Sequence, residues 1–98
     1  MDHVQQVAES VSLMYSHGYH SSANEYAAMH MLNNASMHGG RKRKRAIEDS
    51  LVDLVAAKAV FDVSSTYRIC LDALKVIDNA AKVGVELSVQ DALEACNE

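Results

Sequence analysis

LVDLVAAKAVFDVSSTYRICLDALKVIDNAA, residues 51 to 81, is the stretch whose reading decides the fold. Every third and fourth residue through it gives Ala56, Val60, Val63, Tyr67, Cys70, Leu74, Ile77 and Ala81, an unbroken 4,3 spacing of small and apolar side chains. That spacing is the seam of a helix packed lengthwise on another helix, as in a coiled coil. Working outward, the helix is expected to be under way by Ala46 and to end near Val83, before Gly84. An unbroken helix over 46 to 83 would span roughly 57 Å at about 1.5 Å per residue, and such a length needs a partner along it. Lys58 with Asp62, Arg68 with Asp72, and Asp78 with Lys82 stand four residues apart on the polar side and mark a solvated face. Ser64, Ser65 and Thr66 lower the helix propensity in the middle, which is where a kink or break would fall.

The composition agrees with helices. Proline is absent, glycine occurs four times, and 49% of the 98 residues are hydrophobic, with only five aromatic residues among them. The strongest interior helix breakers are therefore scarce, and the core must be built from Val, Leu, Ile, Ala and Met. The expected fold is all-α, a single domain over 1–98 forming an antiparallel helical bundle or coiled-coil hairpin, with one long C-terminal helix and a short final one. Ahead of the long helix, Val4, Val7, Val11 and Met14 make the stripe of a first helix over about 2–16, which Gly18 ends. Ser21 or Ser22 caps a second helix, about 21–37, whose apolar surface is broader and less regular. Gly39 and Gly40 form the main turn, with the basic run placed in the same segment, 38–45. Ser88 and Asp91 open the last helix, about 88–96.

The charge is segregated. The formal net charge is −4, yet Arg41, Lys42, Arg43, Lys44 and Arg45 stand together and the remainder of the chain is strongly acidic. That balance argues against a protein that coats nucleic acid over a broad surface and confines any anion binding to residues 41–45. The run reads as a nuclear-import signal, a phosphate-binding patch, or a solvated loop compensated by Glu48, Asp49 and Asp53. Like charges at a helix N-terminus oppose the macrodipole, so some compensating partner is expected. No aromatic residue interleaves with the run, so base stacking is not suggested.

Other chemistry is sparse. His17 and His20 flank Gly18 and Tyr19 at a separation that could bring two imidazoles to one metal with Glu25, but no cysteine is near and the ligand set is thin. Polar turn histidines are the simpler reading, and neither a metal nor a cofactor is expected. Cys70 lies on the seam, where its pKa should be raised, and Cys96 is the only other cysteine. There is no glycine-rich phosphate loop, paired-carboxylate signature or nucleophile elbow, so the protein is not expected to be an enzyme. MDHVQQVAES lacks the apolar core of a secretory signal, and no apolar stretch approaches the roughly 20 residues that span a bilayer. Synthesis in a reducing cytosol without membrane insertion is the expectation.

Leu51-Val52-Asp53-Leu54-Val55-Ala56-Ala57-Lys58, followed by Phe61-Asp62 and Ser64, resembles the C-terminal helix of flagellar axial proteins of the rod and hook type. Those helices carry a Val, an acid or amide, two aliphatics, small residues, Gln or Lys, then an aromatic, an acid and an Asn. Ser64 stands where the family prefers Asn, while Asn33-Asn34-Ala35-Ser36 with Gly39 and Gly40 resembles a shortened N-terminal signature. The resemblance implies pairing of the N- and C-terminal helices, assembly with neighbouring subunits into a tubular axial structure, and export from the cytoplasm without a cleaved signal. The large middle domain of typical members is missing.

Together these readings give a non-enzymatic helical protein that self-associates as a homo-oligomer, with a rod- or hook-like axial role as its specific form. Val60, Val63, Tyr67, Cys70, Leu74 and Ile77 are the expected partner interface, packing on the first two helices and on another subunit. The competing reading is a small cytosolic dimeric regulator or adaptor that holds an acidic protein or nucleic acid through Arg41, Lys42, Arg43, Lys44 and Arg45.

Overall fold

The computed structural model describes residues 2–96, and they are all-α. Five helices follow in order: α1 (His3–Ser16), α2 (His20–Ala35), α3 (Gly40–Ala56), α4 (Val63–Lys82) and α5 (Val89–Cys96). The first two and the last lie within two residues of their expected bounds. The single helix expected over 46–83 is instead two helices joined by a corner, and the expected basic turn is the start of α3. The longest dimension is 40 Å, shorter than the roughly 57 Å that the unbroken helix would need.

The corner has a specific construction. Lys58 takes a left-handed conformation, φ 66, its N–H donates to the Val55 carbonyl at 3.0 Å, and the Ala59 N–H reaches back to Leu54 at 3.0 Å. This is the Schellman arrangement that normally uses glycine, as the same chain does at Gly18 and Gly84. Four residues on, Asp62 caps α4 by accepting from the Ser65 N–H at 3.0 Å and the Ser65 hydroxyl at 2.8 Å. These bonds hold the Asp62 carboxyl below its usual pKa. Backbone donors freed by the corner are taken up by the other helices: Val60 N–H donates to Ser12 Oγ at 2.7 Å, and Asp62 N–H to Asn24 Oδ1 at 3.3 Å. Leu54 and Phe61 are buried on either side and anchor it.

A side chain with a Cβ in the left-handed region is strained by about 1 kcal/mol or more. Lys58→Gly relieves that strain at the cost of a floppier unfolded chain, and the net expectation is a gain of about 0.5 to 1 kcal/mol. Urea unfolding checks it; a loss of stability would mean that Lys58 is not left-handed.

The helix at the centre is α2. All four other helices pack on it, and Ala23, Ala27, Ala28, Met31, Leu32 and Ala35 are enclosed. Its alanines let neighbours approach closely, and the Cys70 Sγ of α4 lies 3.9 Å from the Ala28 carbonyl oxygen. Helix α1 runs antiparallel to α2, with His3 meeting His30 at one end and Tyr15 stacked on His20 at the other. Helix α4 packs on α2 and α5, touches α3 lightly and, among the described residues, does not meet α1. The seam is expected on the first two helices, but α4 packs on α2 alone of these, and α2 packs on both α1 and α4. Among the described residues no helix is long and apolar enough to cross a membrane.

Candidate functional site

The corner divides the expected interface in two. Val60 and Val63 precede or begin α4 and keep 59% and 39% of their surface exposed. Tyr67 is half-buried with its hydroxyl donating to Glu48 Oε1 at 3.2 Å, Cys70 is wholly enclosed, and Leu74 and Ile77 are half-buried against the core. Cys70 therefore cannot meet a partner, because the chain itself has filled that part of the seam. Desolvation pushes its thiol up to about 12, and burial followed by the charge of Asp72 also raises that of Cys96. Neither is a ready nucleophile.

Around the corner the exposed valines have company that the seam did not include. Val52 and Val55 on the outer side of α3, and Leu13 on α1, are at least half exposed. A groove of about 500 Å³ runs between α1 and the corner, with Ala8, Leu13, Ala57 and Val60 as its apolar lining and Glu9 and Lys58 beside them. Leu13 is legible in hindsight, since it sits opposite the Val4, Val7, Val11 and Met14 stripe and has no core to enter.

The basic run forms the first turns of α3, not a loop, and its five residues separate. Arg43 turns inward, donating from Nε to the His38 carbonyl at 2.9 Å and pairing through Nη1 with Asp78 at 3.3 Å, the one ion pair among the described residues. Arg41, Lys42, Lys44 and Arg45 are exposed. The compensation expected from Glu48, Asp49 and Asp53 does not form ion pairs: Glu48 lies beside the four cations but its hydrogen bond is to Tyr67. Gly39 caps α3 without a side-chain acceptor, so four unpaired positive charges adjoin the positive end of a helix dipole.

A second concavity, of about 580 Å³, opens at the far end of α4. Leu32, Leu74, Ile77, Val85 and Val89 give it an apolar lining, and Arg43 stands among them. The histidines do not assemble a metal site: His20 is stacked on Tyr15 with ring centres 4.1 Å apart, and His17 caps the end of α1. No three His, Cys, Asp or Glu residues come together as a metal would require, among the described residues. His30, buried against α3 beside Asn34 and Ser50, has its pKa lowered by burial and by His3, against an opposing pull from Asp53, and is neutral at pH 7.

The chain matches no protein-family model, no curated protein and no solved structure.

Proposed function

We propose that the protein is a non-enzymatic helical interaction module that associates with a second copy of itself through the corner between α3 and α4. The observation that carries this reading is the exposure of Val52, Val55, Val60 and Val63 in one short segment, with Leu13 across the groove. Covering a half-exposed aliphatic side chain is worth on the order of 1 kcal/mol. Counting both copies, ten of them together exceed the low end of the association cost, about 4 kcal/mol, by a few kcal/mol. Association through this surface alone is therefore weak and concentration-dependent. The axial form of the reading rests on residues 51–64 as one helix, whereas Ala57 to Asp62 interrupt that segment; the corner supports self-association without adding support for a rod or hook subunit.

A second reading is favoured by the four unpaired cations of α3. In it the module is a closed dimer, and Arg41, Lys42, Lys44 and Arg45 hold an anionic partner, an acidic protein or nucleic acid, with a steep salt dependence. Salt-dependent binding of an anionic polymer by the full chain tests the second reading, and one comparison tests the corner interface. In sedimentation velocity, a Val60→Asp and Val63→Asp double variant should weaken self-association at least tenfold, while changing Arg41, Lys42, Lys44 and Arg45 to Gln should leave it within about twofold. The reverse pattern would sink the corner interface and place the contact on the basic face.

A further inference from the structure

We propose that the cleft at the far end of α4 binds an amphipathic anion, an aliphatic monocarboxylate whose chain lies on the apolar floor and whose head meets Arg43. The floor is formed by three elements at once: Leu32 from α2, Leu74 and Ile77 from α4, and Val85 and Val89 from the connection to α5 and its first residue. Its volume, about 580 Å³, falls within the range of small-molecule sites, roughly 300 to 1,000 Å³.

Arg43 supplies the head-group contact. Of the five consecutive basic residues it alone lines the cleft, and the His38 carbonyl fixes its Nε. A guanidinium has five N–H donors in a rigid fork, and the bonds to His38 and Asp78 use two of them. The Asp78 carboxylate is 63% exposed and its contact is long, 3.3 Å, so an incoming carboxylate can share or displace it. Glu86 also lines the cleft and opposes an anion. Against it stand Arg41, Lys42, Lys44 and Arg45, exposed cations on the same turns as Arg43, which line a separate concavity and whose field attracts anions at longer range. An uncharged amphiphile would gain nothing from that field, and a cationic one would be repelled.

The inference does not depend on self-association, because the cleft and the corner lie at opposite ends of α4. Isothermal titration of the full chain with dodecanoate below its micelle concentration tests it, with dodecyltrimethylammonium as the cationic counterpart. Saturable one-to-one binding of dodecanoate is expected, with decanoate, two methylenes shorter, about fifteenfold weaker, since each buried methylene is worth about fourfold. Arg43→Gln should weaken dodecanoate at least tenfold and Arg45→Gln no more than about threefold. Val85→Asp, at a half-exposed position outside the helices, should also weaken it at least tenfold with an unchanged circular dichroism spectrum. Unsaturable uptake, equal affinity for the cationic amphiphile, or indifference to both Arg43→Gln and Val85→Asp would overturn the proposal.

Discussion

Met31→Ala is expected to remove about 2 to 5 kcal/mol of folding stability, a large part of the roughly 5 to 15 kcal/mol that a domain of this size possesses. Met31 is fully enclosed on the one helix against which all the others pack. Truncating it opens a cavity that α2 cannot close by shifting toward one neighbour, because a shift toward any of them withdraws it from another. At about 4 to 8 °C per kcal/mol for a chain this short, the melting temperature should fall by about 8 °C or more. Val83→Ala, on a side chain 77% exposed, should stay within about 0.5 kcal/mol. Thermal and urea unfolding of the two variants side by side check this, and a loss below 1 kcal/mol for Met31→Ala would mean that α2 is not the centre of the core.

Asn24→Ala should cost about 2 to 4 kcal/mol by a different route. Asn24 Oδ1 accepts from the Asp62 N–H and from the Thr66 hydroxyl, both at 3.3 Å, and Thr66 is fully buried. Losing the acceptor strands two donors, at about 1 to 3 kcal/mol for a fully buried one and less for Asp62 at the edge. The damage should be local first. Amide exchange should accelerate at the corner and in the first turn of α4 well before it does in α2, whereas uniform acceleration would show that the bond is not what holds the corner to α2.

The sequence pattern points to one long helix over 46–83, most of which is α4, as the organising element, and the reason it misleads is physical. A regular stripe belongs to a helix with one buried face, and α4, with Thr66, Cys70 and Ala73 inward, is such a helix. Helix α2 is enclosed on several sides, so its apolar residues follow no single period and its pattern looks irregular. Gly18 and Gly84 announced two helix ends because they are the residues the left-handed turn favours. Lys58 makes the same turn with no such announcement, and only Asp62 with Ser65, an N-cap pair, marked the restart. Ser64, Ser65 and Thr66 mark by their low propensity the place where a kink or break in the single expected helix would fall, but that triplet lies in the first turn of α4. Val60 and Val63 were legible as apolar interface candidates, while the division between inward and outward seam residues was not, since it depends on the corner. The basic run was legible as a patch; that Arg43 would leave it for the cleft depends on the His38 carbonyl and on Asp78, 35 residues away.

The most direct test of the central claim is light scattering on a size-exclusion column, with the unmodified chain loaded over a wide concentration range at low and high salt. Association through the apolar corner predicts a weight-average mass that rises with concentration above that of one chain and persists at high salt. The mass of a single chain at every concentration would contradict it.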